Sequence, residues 1–307
     1  MPGRSSPRRS QPSGGPNRRR GTLHQRGHHD QVRHRLSHTC PGQASLTAIV
    51  LEMVNYDDRL HQVYAAGRGL ETSSLNAWMQ AFADRVPTAR PLTVLDLGSG
   101  IGRFTPALAE TFGGPVYGVE PSARMREIAT ETASHPAVTY LDGSAEAIPL
   151  PAASCDFALL FLSFHHFGDK LRALRELARV VRPGGMVLLR SQFSDRMPDL
   201  YWYRYFPSAR KVDAEMYLPL DAVRALTEQA GLTILADPTL IEVEGPSTVQ
   251  ASYERVKHRA YSTFEHLPAD EMDSGFAAFE LDAESTPDRE LPAVPAALLV
   301  LYRPLRD

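Results

Sequence analysis

The chain has 307 residues and a formal charge of −3, but residues 1–50 hold nine Arg, no Lys and one acid (Asp30), so +8 lies there and −11 in residues 51–307. Two cysteines, Cys40 and Cys155, are too few for a disulfide scaffold, a four-Cys zinc site or an iron–sulfur cluster. No apolar run approaches the roughly 18 residues that span a bilayer, the N-terminus lacks a secretory h-region, and a body of −11 is a poor match for phosphates. The expectation is a cytoplasmic protein without membrane insertion and without a nucleic-acid partner.

In chain order, the segment from Arg4 to His38 contains only Leu23, Val32 and Leu36 as large apolar residues. It cannot bury enough surface to offset its ordering entropy and reads as a disordered tail. Met53 opens MVNYDDRL, where ordered-looking sequence begins, so residues 1–52 read as a tail or an over-extended start and 53–307 as the folded domain. The five histidines of the tail suggest no dedicated metal site, and none is expected in the body.

Two helical stretches follow, near 55–66 and 71–85. Strand-like and helix-like patterns then alternate: strand Leu92–Leu97, helix Phe104–Phe112, strand Pro115–Glu120, helix Ser122–Ala133 with Ser122 as its cap, strand Ala137–Leu141. Ser154–Leu162 is a near-continuous apolar run of the kind a doubly covered parallel sheet buries. Helix Asp169–Val181 stops at Arg182-Pro183-Gly184-Gly185, strand Met186–Gln192 follows, and helix Leu220–Ala230 closes on Gly231. A sixth strand is expected over Leu232–Val243 and a last one over Ala296–Arg303. The alternation implies an α/β fold with a doubly wound, mostly parallel seven-stranded sheet. Two stretches, 194–218 (with Tyr201-Trp202-Tyr203-Arg204-Tyr205-Phe206) and 247–285, break it and read as helical, aromatic lid insertions.

The chemistry concentrates in the first β-to-α turn. Strand Val94-Leu95-Asp96-Leu97 runs into Gly98-Ser99-Gly100-Ile101-Gly102. Such glycines let a ligand approach the backbone at the carboxyl end of the first strand, where open α/β sheets bind ligands. The spacing is G-x-G-x-G, not the dinucleotide G-x-G-x-x-G. Glu120 ends the second strand about 20 residues on, where an acid can accept from both ribose hydroxyls.

At these residues the chain resembles the class I S-adenosylmethionine-dependent methyltransferases, in particular the "type 11" small-molecule group related to quinone-biosynthesis methyltransferases. The resemblance covers roughly 54–307 and rests on VLDLGSGIGRF (94–104), VYGVEPSARM (116–125), LDGSAEAIPLPAASCDFALLFLSFHHF (141–167) and the helix–RPGG–strand segment at 171–190. It implies a Rossmann-like methyltransferase fold that binds S-adenosyl-L-methionine. By that resemblance Asp96, Gly98 and Gly100 line its methionine and ribose portion, and Ser99 and Gly102 of the same loop also bind the cofactor. Glu120 holds the ribose, Pro121 borders the adenine, and Ser144 and Ala145 meet the adenine edge. Phe161 and Leu162 face the amino group through their carbonyls, and Arg68 reaches the carboxylate. Many relatives carry Asp at the place of Ser144, which leaves that contact to the backbone.

Methyl transfer from a sulfonium is an in-line displacement in which the protein supplies orientation and water exclusion. His165 and His166, just after the fourth strand, are the candidate general bases for a hydroxyl acceptor. The reading is methyl transfer to a small organic acceptor, with a secondary metabolite in view. The alternatives are a quinone-pathway C-methyltransferase and a non-catalytic cofactor-binding regulatory protein.

Overall fold

The computed structural model describes residues 69–243 and 245–305, together with Val63 and Gly67. The tail, the expected helix over 55–66 apart from Val63, and Arg68 lie outside the described residues.

Among the described residues eight strands form one sheet: β1 Leu92–Leu97, β2 Gly113–Glu120, β3 Val138–Asp142, β4 Cys155–Phe161, β5 Val181–Arg190, β6 Thr233–Ile234, β7 Thr239–Ile241 and β8 Ala296–Tyr302. Their order is β3-β2-β1-β4-β5-β8-β6, with β7 also paired to β8. The pairs among β1 to β5 are parallel, and β8 runs antiparallel to β5, β6 and β7. Among the described residues the helices from Thr72 on are α1 Thr72–Ala83, α2 Thr105–Phe112, α3 Ala123–Thr132, α4 Lys170–Val180, α5 Ala209–Met216, α6 Leu220–Gln229, α7 Val249–Val256 and α8 Ala269–Ser285.

Both faces of the sheet are covered. On one, Ala173, Leu174, Leu177 and Val180 of α4 and Leu220 and Val223 of α6 pack on Leu95, Leu97, Ala158, Leu160 and Val187. On the other, Trp78 and Phe82 of α1 and Leu108 and Phe112 of α2 pack on Val94, Val116, Phe157 and Leu159. Alternate strand residues therefore feed two separate cores, which is why β4 is apolar throughout. The two expected caps are present: Ser122 Oγ accepts from Met125 N at 3.1 Å and Asp169 Oδ1 from Arg172 N at 2.9 Å.

Two expectations are corrected. The single strand over Leu232–Val243 is two short pieces, β6 and β7, that share one position beside β8. The break falls at Asp237-Pro238: Pro238 has no N–H to give a ladder, and Asp237 is drawn out to Arg224 and, at 3.4 Å, to Arg196. The Arg182-Pro183-Gly184-Gly185 segment is more than a helix stop. It already belongs to β5, which begins at Val181, and the β4–β5 register shifts between Cys155 and Phe157. Gly185 is needed there, because a Cβ would come within 2.5 Å of Asp156 O.

The stretches 194–218 and 247–285 join in a third, smaller core. Trp202, Phe206, Phe264 and Phe279 are buried together with Val249 and Val256. The Tyr205 and Phe279 rings stack at 4.2 Å and 10°. Gly275 lets α8 approach closely, since a Cβ there would lie 2.5 Å from both Phe206 Cε1 and Tyr205 O. Asp213, buried in this layer, accepts from Tyr203 Oη at 2.6 Å and from Thr263 Oγ1 at 2.5 Å.

Candidate active site

The carboxyl ends of β1, β2 and β4 converge around the glycine loop. Gly98, Gly100 and Gly102 all have positive φ, at 75°, 56° and 78°. Side chains rarely adopt that region, and Gly98 is doubly constrained, since a Cβ would sit 2.5 Å from that of Ser163. The loop is pinned to β2: Gly98 N and Ser99 N both donate to Val119 O, at 2.8 and 3.3 Å. It is pinned to β4 by Ser163 Oγ, which donates to Leu97 O at 2.8 Å.

Glu120, only 8% exposed at the end of β2, bridges the loop to α3. One carboxylate oxygen accepts from Gly100 N at 3.0 Å and the other from Ser122 N at 3.0 Å. Pro121, next to it, is exposed, and its carbonyl takes a bond from Arg126 at 2.9 Å.

Asp96 is 3% exposed beneath the loop and accepts from Thr105 Oγ1 at 2.7 Å. Burial pushes its carboxyl up to about 6. The Thr105 bond and the Arg103 charge pull it partly back, while the nearby Glu120 charge adds to the rise. Tyr140 stands over the third glycine: a Cβ on Gly102 would lie 2.3 Å from its hydroxyl, which donates to Ala133 O at 2.8 Å.

The loop is shaped for a guest. Among the described residues, a Cβ built on Gly100 meets nothing within 4 Å. Ser99 Oγ is buried with no hydrogen-bond partner among the described residues, and a buried polar group of that kind is normally satisfied by something. An adenosine-bearing cofactor with ribose hydroxyls to donate fits this set.

At the end of β4, Phe161 turns its ring into the second core, edge-on to Trp78 at 4.9 Å and 4.1 Å from Phe104. Only its backbone is left to face the site. Leu162 is non-glycine at φ 56°, its N–H donating to Arg190 O at 2.9 Å. Such local strain is held in place by its surroundings and is concentrated at functional sites. After β3, Ser144 pairs with Ala147 in an isolated bridge and Ala145 is buried. His165 and His166 sit on the 3₁₀ turn Phe164–His166, half-buried, with ring centroids 3.9 Å apart. Lys170 Nζ clamps this turn, donating to Phe167 O at 2.9 Å.

The structure thus brings Asp96, Gly98, Ser99, Gly100, Gly102 and Glu120 into one cluster, with Phe161, Leu162 and the histidines on the adjoining β4 exit. Sequence reasoning passed over Thr105, Tyr140 and Ser163. Ser163 had the most visible signal, a small residue facing the loop glycines from just past the end of the neighbouring strand β4. Tyr140 had only its alternation along β3, and Thr105 only its place in the first turn of α2.

A mostly parallel sheet, with antiparallel β8, a glycine loop after β1 and an acid closing β2, is a Rossmann-like fold. The methyltransferase-domain family model matches residues 95–189. An uncharacterized methyltransferase of Anoxybacillus flavithermus is 30% identical over 154 residues, 47% of this chain and 71% of the relative. A demethylmenaquinone methyltransferase of Bacillus licheniformis is 32% identical over 114 residues, 36% of this chain and 49% of its own. A solved structure described as a methyltransferase from an antibiotic biosynthesis pathway of Anabaena variabilis superposes with a TM-score of 0.63 at 24% identity, covering 76% of this chain and 99% of its own. The chain belongs to the class I S-adenosylmethionine-dependent methyltransferases. It is a methyltransferase and requires a methyl acceptor.

Proposed function

We propose that this chain transfers the methyl group of S-adenosylmethionine to a small organic molecule. The observation that carries the reading is the buried Glu120 carboxylate, fixed by Gly100 N and Ser122 N at the lip of the glycine loop, beside a buried Ser99 hydroxyl that finds no partner among the described residues. In this reading Glu120 holds the ribose hydroxyls. Asp96, Gly98, Ser99, Gly100 and Gly102 line the methionine and ribose portion, and Arg68 takes the carboxylate. Pro121, Ser144 and Ala145 border the adenine, while Phe161 and Leu162 offer backbone carbonyls to the amino group.

When bound, the cofactor supplies a sulfonium methyl as the electrophile. The chain's residues orient the acceptor and exclude water. His165, or failing that His166, takes the proton of a hydroxyl acceptor at an imidazole nitrogen. The net −11 outside the first fifty residues favours a small acceptor over a nucleic acid.

A second reading is methylation of a quinone-pathway carbon, supported by the demethylmenaquinone methyltransferase of Bacillus licheniformis among the relatives. Calorimetry with S-adenosylhomocysteine and with NAD tests the cofactor: tight binding of NAD alone would defeat the reading. Transfer of labelled methyl is then followed into demethylmenaquinone, an organic extract, protein and RNA. Label in the extract but not in demethylmenaquinone supports the first reading, and label in demethylmenaquinone the second. Label in protein or RNA would refute both.

A further inference from the structure

The β4 exit carries more than two adjacent histidines. The His165 ring has two ring neighbours: His166, 3.9 Å away and tilted 43°, and Tyr217, 4.4 Å away and tilted 42°. Tyr217 comes from a different part of the molecule, the stretch just after α5, which belongs to the helical aromatic layer. We infer that Tyr217 is a positioning residue: it joins the helical layer to the site and holds the His165 imidazole in one orientation at the β4 exit. The inference rests on the reading of His165 as the proton acceptor.

Its backbone is anchored on both sides. Tyr217 N caps α5 by donating to Asp213 O at 3.2 Å, and Asp213 is itself held in the layer's core by Tyr203 and Thr263. The next residue, Leu218, accepts from Ser194 N at 3.2 Å, and Leu220 N donates to Asp195 Oδ1 at 2.9 Å. These bonds tie the Tyr217 stretch to the loop after β5. On the opposite side, Lys170 Nζ holds the turn that carries His165, reaching His165 O at 3.4 Å and Phe167 O at 2.9 Å. A ring fixed by its own backbone meets an imidazole whose turn is fixed from below. Tilted aromatic contacts at this spacing are attractive and favour one arrangement over many. A base that must meet a proton at hydrogen-bond distance needs such restriction, because a free imidazole samples several rotamers.

The test needs no acceptor. Diethyl pyrocarbonate modifies accessible neutral imidazole, and its rate at His165 is read by mass spectrometry in a His166→Gln background. Tyr217→Ala raises that rate by about 3- to 10-fold, the range an aromatic contact supplies, and Tyr217→Phe restores it. S-adenosylhomocysteine affinity, measured by calorimetry on the same proteins, stays within about twofold, below the cost of a single lost hydrogen bond. An unchanged modification rate in Tyr217→Ala overturns the inference. So does a large loss of S-adenosylhomocysteine affinity, which would make Tyr217 part of the cofactor wall. If Tyr217→Ala does not fold, Tyr217→Leu keeps the volume without the aromatic ring and gives the same two readings. Failure of the underlying reading looks different. His165→Ala that retains methyl transfer removes the base but leaves the stack, provided Tyr217→Ala still exposes the ring. His165→Ala that abolishes transfer keeps the base, while an unchanged rate in Tyr217→Ala removes the positioning role.

Discussion

The glycine-loop region and the helical aromatic layer solve the same problem of holding a fixed shape by opposite means. The loop is held by backbone: three positive-φ glycines, N–H bonds to Val119 O, and one carboxylate spanning Gly100 and Ser122. The layer is held by side chains: Trp202, Phe206, Phe264 and Phe279 in one small core, with Asp213 and Asp282 gathering tyrosine hydroxyls around it. A backbone-held site leaves its surface free for a guest, whereas a core held by rings fills its own space. The same contrast runs through two acids, buried Asp96 being raised by burial and half-buried Asp282 lowered by its donors.

The largest expected effect breaks the layer and spares the loop. Phe206 is fully buried against Trp202, Phe264 and Phe276. Phe206→Ala should cost about 3–5 kcal/mol by urea unfolding, as large-to-small core changes do. Hydrogen exchange should quicken over 200–285 while β1 to β4 stay protected. Quickening across the whole sheet would show that the two regions form one cooperative unit.

Next comes Asp96. Its folded-state pKa lies near 6 against an ordinary 3.8, so the fold favours the protonated acid. That contribution is fully present below about 3.8 and is lost as the pH rises through about 6. Asp96→Asn keeps an acceptor for Thr105 and removes the charge. At pH 8 it should stabilise the cofactor-free protein by up to about 3 kcal/mol. The advantage should shrink as pH falls from 6 to 4. An advantage that is independent of pH would mean that burial is not what raises Asp96.

Glu120→Ala should weaken S-adenosylhomocysteine binding by roughly 10- to 100-fold, the value of a charge-assisted hydrogen bond or two, with a smaller effect on unfolding. Calorimetry reads the first and urea the second. Equal losses in both would make Glu120 a brace for the loop and not a ligand for the ribose.

Much of this contrast was legible in the sequence, for physical reasons that differ by region. A backbone-held site writes itself in residue identity: glycine is strongly favoured at the positive φ angles of 98, 100 and 102, and the apolar run of β4 announces a strand covered on both faces. The caps at Ser122 and Asp169 were readable because a cap is a local hydrogen bond. What failed was contact at long range. The split of the sixth strand depends on Asp237 reaching Arg224 and Arg196, the latter 41 residues away. The placement of Tyr217 on His165 depends on how α5 packs, and no spacing rule brings residues 165 and 217 together. The aromatic density of 201–206 signalled a core but not its partners on α8, 70 and more residues on.

The smallest expected effect is at Asp282, and it has the opposite sign to Asp96. Its carboxylate accepts from Tyr205, from Tyr201 at 2.7 Å and from Thr286 Oγ1 at 3.1 Å, and pairs with Arg289 at 2.5 Å. These donors, Tyr205 foremost, hold it down to about 2 from 3.8. A lowered pKa contributes stability that is present above about 3.8 and is lost as the pH falls toward 2. Because the pair with Arg289 lies near the surface, solvent screens it, and Asp282→Asn should cost under about 1 kcal/mol at neutral pH. The wild type and the variant should converge in stability between pH 4 and 2, the window in which the wild-type acid itself takes up a proton. Acid titration of tyrosine fluorescence, with five of the eleven tyrosines (201, 203, 205, 253 and 261) in this layer, would follow it. A wild type that keeps its advantage at pH 2 would mean that packing around Phe279, not the carboxylate, holds α8 in place.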